Sequence, residues 1–312
     1  MQYHNAGGPD QIVAAEVPAP RPAATQLLVK VAASSVNPVD WKLRNTQSLV
    51  YRPVSFPSIP GADLAGEVVE VGARVTGFKP GDRIFAMAKV GSGAASAEYA
   101  VVEELAAARA PAKLPLAEAA AIPLAGLTAL QSLRDLGGIA AGQRVLIVGA
   151  AGGVGHFAVQ IAKSYGAHVT AVCSGRHADL VRGLGADAVI DRTQRRGFSG
   201  EQPYELVFDL IVRAPLREFL AVLAPAGVYV STLPSIGRVS AALLLPLVSR
   251  HRVRITMVKA RGADLEQLRA LCESGKLRPV IDKSFPLSEL AAAHAYSQQG
   301  RAGGKILITI GA

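Results

Sequence analysis

The sequence predicts an α/β chain in two parts: an antiparallel, partly barrel-like β domain and then a doubly wound parallel sheet. Three observations carry this prediction. Up to about residue 115, short β-prone runs alternate with turn signals. From about residue 116, strands alternate with longer helical patterns, the signature of a parallel sheet covered on both faces. The chain then ends on a β-prone run, KILITI, that follows two helical stretches and has no slot in that parallel sheet, so it is expected to return to the first domain.

In the first part the strands are read at LLVKVAASSV, GADLAGEVVEVG, RIFAMA and AEYAVV, with FKPGD as a turn before RIFAMA. In the second, LAEAAAIPLAGLTALQSL keeps a helical period. VLIVGA is a buried strand, GHFAVQIAKSYG a helix closed by glycine, and AHVTAVC a strand. There follow the helix ADLVRGLG, the strands AVI and ELVFDL, the helix PLREFLAVL and the strand GVYVST. The tail reads as helix ADLEQLRALCES, extended PVIDKSF, helix LSELAAAHAYSQQ and strand KILITI.

Composition bounds the function. A chain of 312 residues, 50% hydrophobic and 18% charged, buries a large core and exceeds most single domains. No run reaches the roughly 18 consecutive strongly apolar residues of a membrane span, and MQYHNAGGPD lacks a signal-peptide pattern. A cytoplasmic protein with no membrane partner is expected. Cys173 and Cys272 form no C-x-x-C or Cys/His cluster, which argues against a disulfide framework or a structural zinc site. The net charge of +9 invites nucleic acid, but the densest basic groups, 192–196 and 250–254, are short and lack interleaved aromatics. No nucleic-acid partner is expected.

Residues 145–148 form a strand, Ala150-Ala151-Gly152-Gly153-Val154-Gly155 a turn, and a helix follows from Gly153. Against the pattern G-x-G-x-x-G, Ala150 replaces the first glycine, with Gly149 just before it. Gly152 lets the backbone approach a pyrophosphate, and Gly155 lets the helix pack closely on the strand. The helix N-terminus offers that pyrophosphate unpaired N–H groups and the positive end of its dipole. An NAD site usually places an acidic residue about 20 residues further on, to accept from the ribose 2′-OH. Here Ser174 stands nineteen residues past Gly155. No carboxylate at that position repels a 2′-phosphate, and Arg176 can pair with one through a charge-assisted bond worth roughly 1.5–3 kcal/mol. NADPH is the expected cofactor.

With that turn placed, the rest of the chain resembles the medium-chain dehydrogenase/reductases, specifically the zinc-free quinone oxidoreductase branch that includes zeta-crystallin. The runs that carry the resemblance are SSVNPVDWKLR, PGADLAGEVVEVG, KPGDRIFA, AAIPLAGLTALQSL, GAAGGVGHFAVQIAK, LGADAVIDR and GGKILI, in this order. It implies a GroES-like β-barrel catalytic domain over 1–116, completed by 259–312, and a Rossmann NADP(H)-binding domain over 117–258. It also implies a homodimer. Zinc-dependent alcohol dehydrogenases of this fold hold their metal at positions that align with Asn37, Ala62 and Ala125, none of them a usual zinc ligand. The resemblance therefore points to NADPH giving hydride to a quinone or an α,β-unsaturated carbonyl, with no metal. An enoyl-thioester or 2-alkenal reductase is the neighbouring alternative. A non-enzymatic NADPH-binding structural or RNA-binding role of the zeta-crystallin kind is a third.

For the chemistry, the Asn37 amide is expected to donate to a substrate oxygen or to orient the nicotinamide carboxamide. Asp40 is read as ordering its loop, and Lys42 as an ammonium that neutralises or protonates the reduced acceptor. Tyr51 and Trp41 are candidates for the wall of an aromatic pocket. The resemblance adds Thr128 beside the nicotinamide, Arg192 near the adenine ribose phosphate, and Arg301 reaching the cofactor from the C-terminal segment.

Overall fold

The computed structural model describes residues 1–45, 54–194, 197–198, 202–245 and 249–311. The chain divides into two compact units, Met1–Leu127 with Lys259–Ala312, and Thr128–Val258.

The first unit opens with a two-stranded antiparallel ribbon, β1 (Gln2–Tyr3) and β2 (Ile12–Val13). Then come β3 (Gln26–Val36), α1 (Pro38–Arg44), β4 (Asp63–Val71), β5 (Arg83–Met87), β6 (Tyr99–Glu103) and β7 (Ala107–Arg109). Helix α2 (Leu116–Ala119) follows, and then α3 (Pro123–Gln131), whose last four residues are counted with the second unit. The run with a helical period is two helices in the structure, and the first compact unit extends past the expected boundary at 116/117. Pro123 sits at a first helical turn, where its missing N–H costs nothing, so the continuous pattern is broken just ahead of it. The first unit runs on to Leu127 because α2 packs on β3 and β4, and the Leu124 N–H donates to Asp63.

The second unit carries β8 (Arg144–Val148), α4 (Gly155–Ser164), β9 (His168–Cys173), α5 (Ala178–Gly183) and β10 (Ala188–Asp191). It continues with β11 (Tyr204–Asp209), α6 (Leu216–Leu220), β12 (Leu223–Ser231), α7 (Ile236–Leu244) and β13 (Arg252–Ile255). Its six strands are all parallel, in the order β10-β9-β8-β11-β12-β13. Leu146, Val172, Val207, Tyr229 and Val253 pack there with Phe219. The basic group at 250–254 turns out to contain the edge strand β13, with Arg252 and Arg254 exposed on one face and Val253 buried on the other.

The chain then returns to the first unit through α8 (Gly262–Glu273), β14 (Ile281–Pro286), α9 (Leu290–Gln298) and β15 (Lys305–Thr309). The strand read at KILITI pairs antiparallel with β3, Ile306 opposite Val36, in a sheet ordered β14-β15-β3-β4-β5-β7 with β6 also on β3. Leu27, Val29, Leu64, Val68, Ile84, Ile306 and Ile308 fill this core. Among the described residues no helix is long and apolar enough to cross a membrane.

Candidate functional site

The second unit builds its site where strand order reverses. From β8 the chain moves to β9 and β10 on one side, and then β11 pairs with the other side of β8. In such sheets ligands bind outside the carboxyl ends of the strands at this reversal. The segment after β8 is the glycine-rich turn. Gly149 has φ +86°, the left-handed conformation that favours glycine, and donates its N–H to the Val172 carbonyl at 2.9 Å. Gly149, rather than Ala150, therefore makes the tight turn. Ala150 follows it with a second bond to the same carbonyl, at 3.1 Å. The helix begins at Gly155, two residues later than expected. A Cβ on Gly155 would overlap the Gly149 carbonyl oxygen and the Ala150 backbone. A Cβ on Gly152 would meet only the Gly149 oxygen, at 3.4 Å, an ordinary contact. The fold itself thus demands Gly155 and leaves room at Gly152, where the motif reading expects a pyrophosphate. The turn, with Gly153 and Val154 leading into the first N–H groups of α4, fits a dinucleotide.

Ser174, Arg176 and Arg192 lie together at the carboxyl ends of adjacent strands. Ser174 follows β9, and its hydroxyl lies 3.4 Å from His177 Nδ1. Arg176 and Arg192 are exposed, and the Arg192 N–H donates to the Cys173 carbonyl at 2.9 Å. The structure adds a carboxylate that the sequence reading had absent. Asp191 sits opposite Cys173 in the parallel register, so close to Gly175 that a Cβ there would overlap its carboxylate. Hydrogen bonds from the Thr193 hydroxyl and N–H, then from the Gly175 N–H, hold its carboxyl below the usual carboxylate range. The sequence placed the acidic position at the end of β9; the neighbouring strand supplies one instead.

In the first unit, β3, α1, β4 and β15 converge on a buried polar cluster. Asn37, at the junction of β3 and α1, donates through Nδ2 to Asp63 Oδ2 at 2.7 Å and to the Ser35 carbonyl at 3.4 Å. Its Oδ1 accepts from Lys305 Nζ at 2.6 Å. Asp63 also accepts from Ser35 Oγ (2.6 Å), Lys305 Nζ (3.2 Å) and the Leu124 N–H (2.6 Å). Both amide hydrogens of Asn37 are therefore turned inward, on a side chain that is itself buried. That conflicts with the expected donor role. Asp40 accepts the Asn37 N–H at 2.7 Å, which orders the start of α1. Burial pushes its carboxyl up to about 7, against the Asn37 hydrogen bond and with help from Asp63.

Lys42 is half-buried, its ammonium lies 5.6 Å from the Trp41 ring centroid, and burial lowers its pKa. Trp41 Nε1 donates to Ser297 Oγ at 3.3 Å. Thr128 is buried at the first position of the second unit, while Arg301 is exposed beyond α9 in the first. Tyr51 lies outside the described residues.

The three positions that align with metal ligands do not fit a zinc ion. Asn37 is spent on Asp63 and Lys305, and Ala62 and Ala125 are buried methyl groups. Among the described residues no three His, Cys, Asp or Glu side chains are grouped to hold a metal. Sequence reasoning gives no site role to Asp63, Asp191 or Lys305: Asp63 and Lys305 act through contacts distant in sequence, and Asp191 reaches Gly175 only through the pairing of β9 with β10.

Two family descriptions match the chain: "Alcohol dehydrogenase GroES-like domain" over residues 23–112 and "Zinc-binding dehydrogenase" over residues 184–308. The chain is 36% identical over 319 residues to the chloroplast envelope quinone oxidoreductase homolog of Arabidopsis thaliana, covering 99% of this chain and 97% of that one. It is 32% identical over 325 residues to the mitochondrial NAD(P)H oxidoreductase RTN4IP1 of Mus musculus, with 91% and 82% covered. In structure it is similar to the quinone oxidoreductase from Coxiella burnetii, with a TM-score of 0.88, 30% identity and 99% and 98% of the two chains covered.

Proposed function

The chain belongs to the quinone oxidoreductase branch of the medium-chain dehydrogenase/reductase superfamily, and from that membership we propose that it reduces a quinone or conjugated enone with NADPH and without a metal. The observation that carries the reading is the turn at the strand reversal, closed by Gly149 and Gly155 and open at Gly152.

A bound nicotinamide would supply the hydride. The chain's own residues do the rest. The turn and the start of α4 hold the pyrophosphate. Arg176 and Arg192 meet the 2′-phosphate beside Ser174, while Asp191, held ionised, opposes it. What supports NADPH is the placement of two exposed arginines, Arg176 and Arg192, beside Ser174. Quinones and enones spread the negative charge that develops on reduction, so hydrogen-bond donors suffice where a simple ketone would call for a Lewis acid. Since the Asn37 amide hydrogens point inward, Lys42 is the better proton donor, its lowered pKa easing release of the proton. Asn37, fixed on both sides, then serves as a rigid acceptor. The residues at the zinc-ligand positions support metal-free chemistry.

The test uses chelator-treated protein and follows loss of NADPH with 9,10-phenanthrenequinone as acceptor. Turnover is expected, together with a larger rise in Tm from NADPH than from NADH. No turnover and no thermal protection by either nucleotide would sink the proposal; equal protection would overturn its NADPH part alone.

A further inference from the structure

The second wall of the strand-reversal crevice is the segment after β11. Leu210 donates its N–H to the Val148 carbonyl at 3.1 Å, which ties this segment to the end of β8. A Cβ placed on Gly149 would lie 2.8 Å from Ile211 Cδ1, so the Ile211 side chain rests directly on the glycine turn. The segment has an improbable shape. Val212 has φ +57°, a conformation that β-branched residues rarely take and that survives only where surrounding contacts over-determine it.

Those contacts form one buried group. Asp209 Oδ1 accepts the N–H groups of Ile211 and Val212, at 3.0 and 2.9 Å. Its Oδ2 accepts the Tyr229 hydroxyl at 2.7 Å. Arg238 comes in from α7, only 9% exposed, and donates through Nε to the same hydroxyl at 2.8 Å. Its Nη2 lies 3.4 Å from Asp209 Oδ2 and 3.1 Å from the Ala214 carbonyl. A single guanidinium thus grips both ends of the segment, at Asp209 and at Ala214. Lysine lacks that fork of donors and cannot reproduce the grip.

We infer that Arg238 is a positioning residue for the dinucleotide: by clamping residues 209–214 it holds the wall that lies against the phosphate turn. The inference rests on the reading that the turn binds a dinucleotide, and the wild-type measurement tests that reading separately.

The experiment measures NADPH Kd by calorimetry, and KM for NADPH and kcat with the quinone, for the whole chain carrying Arg238→Met or Arg238→Lys. The expected result for R238M is a Kd and a KM for NADPH at least tenfold higher, with kcat at saturating NADPH and the quinone KM within threefold of wild type. R238K should fall between the two. If R238M does not fold, D209N/R238M removes the stranded carboxylate and poses the same question, and Y229F weakens the clamp without changing charge. Wild-type protein that fails to bind NADPH defeats the reading of the turn. Wild-type protein that binds it while a folded variant binds equally well overturns the role of Arg238, as does a fall in kcat with an unchanged Kd.

Discussion

Gly152 and Gly155 stand three residues apart in one motif, yet a methyl group would do a different thing at each. At Gly155 it collides with backbone, the Gly149 carbonyl and Ala150, which cannot swing aside as a flexible side chain can. G155A should therefore lose roughly 1–3 kcal/mol of stability, the usual range for an overpacked site, read as an earlier urea midpoint. At Gly152 the nearest atom is 3.4 Å away, so G152A should unfold within about 0.5 kcal/mol of wild type. Its methyl would occupy the pyrophosphate's approach, and NADPH affinity should fall at least tenfold. A G152A protein that binds NADPH normally would place the dinucleotide elsewhere. These two glycines could be read from the sequence because their spacing reflects local steric needs. Gly149 was read one residue off, since Ala150 occupies the formal motif position while the left-handed turn falls before it. Asp191 was out of reach for another reason: only the register of β9 against β10 brings it beside Gly175.

Between elements, α1 and α9 meet through groups whose charges depend on pH. Arg44, fully buried, donates through Nε to the Gly7 carbonyl at 3.1 Å and lies 2.7 Å through Nη1 from His294 Nδ1. Burial, then the Arg44 charge, pushes His294 down to about 3, so the ring is neutral and accepts from the guanidinium. A depressed folded pKa means that this contribution is whole above the ordinary value of 6.5 and is lost as pH falls towards 3. Asp40 runs the other way. Its folded pKa of about 7 exceeds the ordinary 3.8, so the native state holds a proton that the unfolded chain has released, and stability from this group drains away as pH rises from about 4 to about 7. The slope for one such group is at most about 1.4 kcal/mol per pH unit. D40N, which keeps an acceptor for the Asn37 N–H, should gain on wild type as pH rises from 4 to 7 and hold a constant margin above that. Urea unfolding across this range checks it, and parallel curves for the two proteins would refute it. Of these elements the sequence displays most strands and helices. It hides the two-residue strands β1 and β2 and the helix α1, whose seven residues are too few for a period, and it hides α7 and β13, where the arginines of β13 read as a charged surface.

For the whole molecule, the discontinuity of the first unit decides what can fold alone. Its chain leaves at Leu127 and returns at Lys259, bringing β15 onto β3 and Lys305 onto Asp63 and Asn37. A fragment of residues 1–127 would lack Ile306 and Ile308 from its core, each worth roughly 1.5–3 kcal/mol of burial. It would also leave the fully buried Asp63 without its cation, a loss of about 3–5 kcal/mol. Together these approach the whole stability of an ordinary domain, about 5–15 kcal/mol, so the fragment should show no cooperative unfolding. Residues 128–258, in contrast, carry all six strands of their sheet, both walls of the crevice and the Asp209–Arg238 clamp in one continuous stretch. Expressed alone, they should unfold cooperatively by circular dichroism and bind NADPH within about tenfold of the intact chain, since one tenth in affinity is only about 1.4 kcal/mol. They should not reduce the quinone if the proposed role of Asn37 and Lys42 holds, because neither residue is in this stretch. Cooperative folding of 1–127 would show that Lys305 is dispensable to Asp63, and a folded 128–258 fragment that fails to bind NADPH would move the cofactor's main contacts out of the parallel sheet.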